Sequence, residues 1–228
     1  MVLAATAEDR EAKRVSNLVN KPASESSPEG GFVRSRSETP ASDSAAFLRG
    51  FLARPFEVAS VTPSSRYLEQ QVVRAADLER AACVVELGPG TGGTTRALLR
   101  AMRPQARLLA IELNPGFCAR LRRQVVDPRL AIQAGSADAL TAHLAQWQLP
   151  APDVVVSGIP FSTLPAATAQ RVAAAIGACL APGGRFVAYQ FRPQVADYLR
   201  PHLGAPQTRR EWRNLPPMTV FRWVKPAG

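Results

Sequence analysis

The stretch CVVELGPGTGGTTRALL, residues 83–99, constrains the fold more than any other part of this chain. Apolar residues up to Leu87 predict a buried strand, glycines at 88, 90, 92 and 93 predict a tight turn, and the periodic run after them predicts a helix. Glycine is needed in such a turn because the backbone adopts positive φ and lets a ligand touch the main chain. A strand, a glycine turn and a helix in that order open a βαβ unit, and therefore a parallel sheet. The turn alone does not select its ligand, since dinucleotide sites use nearly the same loop.

The rest of the chain continues the alternation. Strands are expected at roughly 82–87, 107–112, 129–133, 153–157 and 184–190, and helices at roughly 93–102, 115–125, 138–147, 165–180 and 193–200. The apolar runs ACVVEL, RLLAIEL and DVVVSG suit strands covered by helices on both faces. Two further strand-like stretches, at about 207–213 and 218–224, flank NLPPM, where Pro216 and Pro217 cannot donate to a ladder. The expected fold is α/β and Rossmann-like: a mainly parallel seven-stranded sheet with an antiparallel C-terminal hairpin.

Ahead of this domain (79–228), residues 1–42 are rich in Ser, Glu, Pro and Ala and read as a disordered tail. Residues 43–78 read as two helices. The first carries a stripe of Phe47, Leu48, Phe51 and Leu52 flanked by Arg49 and Arg54 and ends at Pro55; the second takes Thr62 as N-cap and Pro63 at its first position, and runs to about Ala76. The tail holds six basic and six acidic residues, so the net charge of +10 lies on the remaining 22 basic and 12 acidic. That body is drawn to anionic surfaces, either nucleic acid or acidic lipid, and charge alone does not choose between them. No run of ~18 apolar residues predicts a membrane-spanning helix, and MVLAATA lacks the basic start and apolar centre of a secretory signal. Cys83, Cys118 and Cys179 read as small buried residues in a reducing compartment, and no Cys or His spacing suggests a metal.

Three acids narrow the ligand. Glu86, two residues before Gly88, would repel a pyrophosphate but suits a cofactor carrying an ammonium group. Glu112 ends the next strand, 26 residues on, where an acid can take both ribose hydroxyls. Asp138, in GSADAL after the third strand, can accept from an adenine amino group. One glycine loop with acids ending successive strands resembles the class I S-adenosylmethionine (SAM)-dependent methyltransferases. The resemblance implies a SAM site made of Glu86, Gly88, Gly90, Gly92, Glu112, Leu113, Ala137, Asp138 and Ser157.

After the fourth strand comes Ser157-Gly158-Ile159-Pro160-Phe161. Methyltransferases of base amino groups carry Asn/Asp-Pro-Pro-Tyr or Asn-Leu-Pro-Phe/Tyr here; the amide and a proline-fixed carbonyl bind the N–H groups and the aromatic stacks on the base. Gly158 stands at the Asn position, and a buried amino group that loses its partner costs about 1–3 kcal/mol, which disfavours a nucleobase. The alternative for Phe161 is a core residue in a structural turn. The segments FLRGFLARPFEVASVTPSSRYL, ELGPGTG, SGIPF and NLPPMTVFRW resemble the bacterial phosphatidylethanolamine N-methyltransferases of the soluble, peripheral type, which are similar in fold to rRNA adenine dimethyltransferases. The likeness covers about residues 45–225, and QFRPQ after the fifth strand departs from it. It implies transfer of methyl groups from SAM to the amine of phosphatidylethanolamine, giving phosphatidylcholine, by a cytoplasmic protein held peripherally at the inner face of an anionic membrane. The first helix would dock on the membrane or pack over the pocket as a lid. The acceptor set would be Tyr67, Ser157, Gly158, Pro160 and Phe161, with Tyr67 contacting the amine or headgroup or simply packing. His143 and His202 read as surface residues, and the lipid phosphate is one candidate for the proton acceptor. RNA or a small molecule as acceptor, and a non-catalytic SAM-binding module, are the other readings. The oligomeric state is not set by the sequence.

Overall fold

The computed structural model describes residues 64–227. Its centre is a seven-stranded sheet in the order β3-β2-β1-β4-β5-β7-β6. Helix α1 (Arg66–Ala76) precedes β1 (Cys83–Leu87), α2 (Gly93–Ala101), β2 (Arg107–Glu112), α3 (Pro115–Gln124) and β3 (Leu130–Ala134). There follow α4 (Leu140–Gln146), β4 (Val154–Ser157), α5 (Ala166–Cys179), β5 (Arg185–Gln190), α6 (Val195–Leu203), β6 (Gln207–Glu211) and β7 (Met218–Val224). Strands β1 to β5 pair in parallel, and β7 runs antiparallel to both β5 and β6. The fold is therefore the Rossmann-like α/β sheet with an antiparallel hairpin that the alternation predicts.

Helices cover both faces, which is why every residue of β1 and β4 is buried. One face packs Val85, Leu87, Phe161, Ile176, Leu199 and Trp223 together. The other packs Val84, Leu98 and Val187 against Leu68 and Val72 of α1. The chain leaves β1 toward β2 and β3 on one side and returns to β4 and β5 on the other, so a crevice opens at the strand C-termini between β1 and β4.

Four boundaries differ from the sequence expectation. Helix α1 begins at Arg66, capped by Ser65, whose hydroxyl accepts from the Leu68 N–H at 3.2 Å. The Ser65 N–H is itself held by Asn214 Oδ1 at 2.9 Å, a partner 149 residues away. Thr62, Pro63, the Phe47–Leu52 stripe and the 1–42 tail lie outside the described residues. The helix expected at 138–147 is a 3₁₀ turn, Ala137–Ala139, followed by the short α4. Strand β6 ends at Glu211, two residues early, because that carboxylate turns inward to accept from Gln71 Nε2 at 2.6 Å and from Arg213 Nε at 2.9 Å. Helix α6 runs on to Leu203, with Pro201 in its last turn.

Candidate active site

The turn after β1 takes φ of 72°, 52° and 79° at Gly88, Gly90 and Gly92. A side chain at Gly92 would also lie 2.5 Å from Leu121 Cδ1, so both conformation and space require glycine there. Beneath this turn Glu86 is buried, and its Oε2 accepts from Thr95 Oγ1 at 2.6 Å. Its Oε1 has no partner among the described residues. Burial pushes this carboxyl up to about 7, which the Thr95 hydrogen bond only partly offsets. A buried carboxylate oxygen lacking a donor is what a ligand ammonium, direct or through a water, would satisfy.

Glu112 straps the end of β2 to the same turn. Its Oε2 accepts from the Gly90 N–H at 3.0 Å and its Oε1 from the Asn114 N–H at 2.9 Å. Burial raises its pKa, against those main-chain donors and that of Leu113. Each carboxylate oxygen still has a free lone pair, enough for a pair of vicinal hydroxyls. Asp138 lies in the 3₁₀ turn after β3, its Oδ2 3.1 Å from Arg171 Nε on α5, which orients the carboxylate. The side chain of Ala137 is buried in the core, so only its main chain can face a ligand. The ends of β1, β2 and β3 thus present, in order, the orphaned acid, the strapped acid and the arginine-held acid.

A cavity of about 470 Å³ adjoins the turn at the C-terminal edge of the sheet. Gly88, Gly90 and Thr94 form one wall, Gly158 and Pro160 a second, and Tyr189 to Arg192 a third. Asn214, Pro216 and Met218 of the hairpin close it with Ser64 and Leu68 from the start of α1. Among the residues that sequence singled out for the acceptor, Gly158 and Pro160 reach this cavity. Ser157 does not: it is wholly buried, and its Oγ accepts from the Ile159 N–H at 3.3 Å. Phe161 does not either; its ring lies in the core, 6.2 Å from that of Tyr198, and is not placed to stack on an acceptor. Tyr67 is outside the lining, with Arg213 and Arg66 4.3 and 4.8 Å from its ring centroid and its hydroxyl accepting from Arg66 at 2.8 Å. His143, read as a surface residue, is half-buried and bound to the Ser136 carbonyl at 3.2 Å.

The cavity draws on residues that the sequence did not announce. Gln190 clamps the turn after β4, donating to the Ile159 carbonyl at 2.7 Å and accepting from the Phe161 N–H at 3.1 Å. Tyr189 places its hydroxyl 3.2 Å from Thr94 Oγ1 and directly over Gly158, where any Cβ would collide with it and with the Gly88 carbonyl. Burial drives the Tyr189 phenol upward in pKa, so it is protonated at neutral pH and acts as a hydrogen-bonding hydroxyl, not a base. The Gly158 carbonyl receives no hydrogen bond from the described residues. The signal available for Tyr189 was its place at the end of a parallel strand, where ligands bind.

The arrangement has relatives. A profile described as "Methyltransferase domain" matches residues 84–184. The ornithine lipid N-methyltransferase of Singulisphaera acidiphila is 32% identical over 177 residues, which cover 77% of this chain and 92% of that protein. This chain belongs to the class I SAM-dependent methyltransferases. The ribosomal RNA small subunit methyltransferase A of Kineococcus radiotolerans is 35% identical over 96 residues, 41% of this chain and 30% of that protein. Among solved structures, the N-methyltransferase NodS of Bradyrhizobium japonicum in complex with S-adenosyl-L-homocysteine superposes with a TM-score of 0.57 at 16% identity, over 80% of this chain and 98% of that one. TomG of Streptomyces achromogenes, an O-methyltransferase in complex with SAM, gives 0.56 at 17%, over 97% and 100%. The methyltransferase uses SAM, and its sheet is the one these structures share.

Proposed function

We propose that this methyltransferase transfers the methyl group of SAM to the primary amine of a membrane aminolipid, with phosphatidylethanolamine, on the way to phosphatidylcholine, as the acceptor. The observation that carries the reading is the corner made by Gly158 and Tyr189. An enzyme for adenine needs a side-chain amide at position 158; here that space is filled by the Tyr189 hydroxyl. The corner instead offers a main-chain carbonyl and a phenol, two oxygens suited to the N–H groups of an aliphatic amine. The relative that matches over most of its length carries a lipid N-methyltransferase name, while the rRNA relatives match over about a third of theirs.

The bound cofactor supplies an electrophilic methyl on a sulfonium, so the protein's share is proximity and orientation. Glu86 would face the cofactor's ammonium, Glu112 its ribose and Asp138 its adenine, with Gly88, Gly90 and Gly92 along its main-chain path and Leu113 and Ala137 beside the acids. Gly158 and Pro160 would face the acceptor. An amine with a pKa near ~10 must lose its proton, at a cost of about 4 kcal/mol at pH 7. Tyr189 cannot take that proton, since burial keeps its phenol protonated, and the proton passes to solvent before the methyl moves. No described helix is long and apolar enough to cross a membrane, which fits an acceptor reached from the bilayer surface.

Methyl-labelled SAM incubated with detergent-dispersed phosphatidylethanolamine, with ornithine lipid and with rRNA tests the reading. Label in the phosphatidylethanolamine amine supports it. Label in ornithine lipid alone keeps the aminolipid class and replaces the headgroup. Label entering only RNA overturns it, as does SAM binding with no transfer.

A further inference from the structure

Of the five large apolar side chains exposed among the described residues, three stand on the two segments that line this side of the cavity: Phe191 at 50%, Trp212 at 70% and Leu215 at 85% exposure. Phe191 follows β5, and Trp212 and Leu215 stand on the turn between β6 and β7. Phe191 lines the cavity, and so do Asn214 and Pro216, the residues on either side of Leu215. The rim is also basic. Arg192, Arg209 and Arg210 are exposed, and none has a carboxylate oxygen within 4.0 Å among the described residues. The Arg210 guanidinium lies 4.6 Å from the centre of the Trp212 ring. Apolar tips interleaved with free arginines match the chemistry of a bilayer interface, where aromatics sit at headgroup depth and guanidinium groups meet phosphates.

The turn is also braced so that these side chains stay outside. Asn214 accepts from the Ser65 N–H at 2.9 Å and donates to the Pro216 carbonyl at 2.8 Å. Buried Glu211 holds Gln71 at 2.6 Å and the Arg213 main chain at 2.9 Å, and the Arg213 guanidinium brings its carboxyl down to about 2. A turn fixed by this many polar bonds yet presenting Trp and Leu to the outside has been given an apolar tip, where a water-facing turn would carry polar residues.

We propose that the β6–β7 turn, together with Phe191 after β5, seats the cavity mouth on an anionic bilayer. Trp212 and Leu215 enter the headgroup–acyl boundary, and Arg210, over the Trp212 ring, and Arg192, in the cavity lining, pair with lipid phosphates. This rests on the aminolipid reading, because an amine must reach the Gly158 corner while its acyl chains stay in the membrane. The surface is made of other residues than the Phe47–Leu52 stripe that the sequence offered for docking, which lies outside the described residues.

The test uses the full chain, with vesicles of phosphatidylglycerol and phosphatidylcholine carrying brominated acyl chains. The other two tryptophans, Trp147 and Trp223, are half-buried and buried, so quenching by bromine should come from Trp212 and vanish in Trp212→Phe. Arg192→Glu with Arg210→Glu should weaken binding to these vesicles by about tenfold or more at low salt. Unquenched emission, equal quenching in Trp212→Phe, or an rRNA fragment displacing the vesicles from Trp212 would each overturn the docking surface. Transfer to detergent-dispersed aminolipid, measured beside it, separates the two claims. Transfer without quenching removes the surface and keeps the aminolipid reading, whereas quenching without transfer keeps the surface and removes that reading.

Discussion

The two walls of the site are built differently. On the proposed cofactor wall, at the ends of β1, β2 and β3, Glu86 and Glu112 are fixed by near neighbours, Thr95 for the first and Gly90 and Asn114 for the second, while Asp138 is held by Arg171 over 33 residues. On the acceptor wall, at the ends of β4, β5 and β7, the bonds reach across the chain. Tyr189 meets Thr94 over 95 residues, Gln190 holds Ile159 over 31 and Asn214 holds Ser65 over 149. In the proposed reading, a cofactor common to many enzymes meets a mostly local strand–turn–helix device, and the acceptor meets residues that only the assembled sheet brings together. The local wall can be kept while the long-range wall is rebuilt for a different nitrogen.

The contrast breaks if changes on one wall move the other, and the largest expected effect is at Glu112. Glu112→Ala removes the partner of the Gly90 and Asn114 N–H groups and, in the proposed reading, of the ribose hydroxyls. Charge-assisted hydrogen bonds at about 1.5–3 kcal/mol each predict a loss of about 100-fold or more in S-adenosylhomocysteine affinity by calorimetry. Acceptor KM at saturating SAM should change far less; if it rises in parallel, the walls are not independent.

Glu86 sharpens the comparison through pH. Its carboxyl, about 7 in the folded chain, starts from an ordinary value of 4.5. The group is protonated in both states below 4.5, so its contribution is fully present there, and it is lost as pH rises to about 7 because only the unfolded chain ionises in that window. A tenfold change in a proton-binding constant corresponds to about 1.4 kcal/mol, so this contribution amounts to about 3 kcal/mol at most. In denaturant titrations without cofactor, Glu86→Gln should flatten the fall in stability across that window. In the wild type, SAM should bind more tightly as pH climbs through about 7 and Glu86 acquires its charge; a pH-independent affinity would remove the ammonium role.

Gly158 carries a smaller effect, at the seam where the proposed acceptor wall meets the glycine turn. Gly158→Ala forces a methyl group against the Tyr189 hydroxyl and the Gly88 carbonyl. Overpacking of this kind costs about 1–3 kcal/mol, read as a lower melting temperature. Combining it with Tyr189→Leu should recover part of the loss, since residues in contact couple. Simple additivity would mean that the two do not share the corner.

The same division governs what the sequence could reveal. The order of strands and helices was readable because apolar runs and glycine turns are local, and so was the placement of Glu86, Glu112 and Asp138 at or just after strand ends. The start of α1 was not, because Asn214, 149 residues on, holds the main chain of the capping Ser65. The end of β6 was not, because Glu211 turns inward toward α1. Ser157 and Phe161 belong to a motif visible in the sequence, but motif membership does not say which members face outward, and both face in. Tyr189 reads as one more apolar residue of β5 until Gly158 is beneath it.

The central claim is that the Gly158–Tyr189 corner receives an aliphatic lipid amine beside a separately held cofactor. Its most direct measurement is kcat/KM for detergent-dispersed phosphatidylethanolamine in Tyr189→Phe against wild type, with the dissociation constant for S-adenosylhomocysteine taken alongside. Loss of one buried hydroxyl that hydrogen-bonds the acceptor predicts a fall of roughly 10-fold in kcat/KM with cofactor affinity unchanged. Unaltered lipid turnover, or cofactor affinity dropping by the same factor, would contradict it.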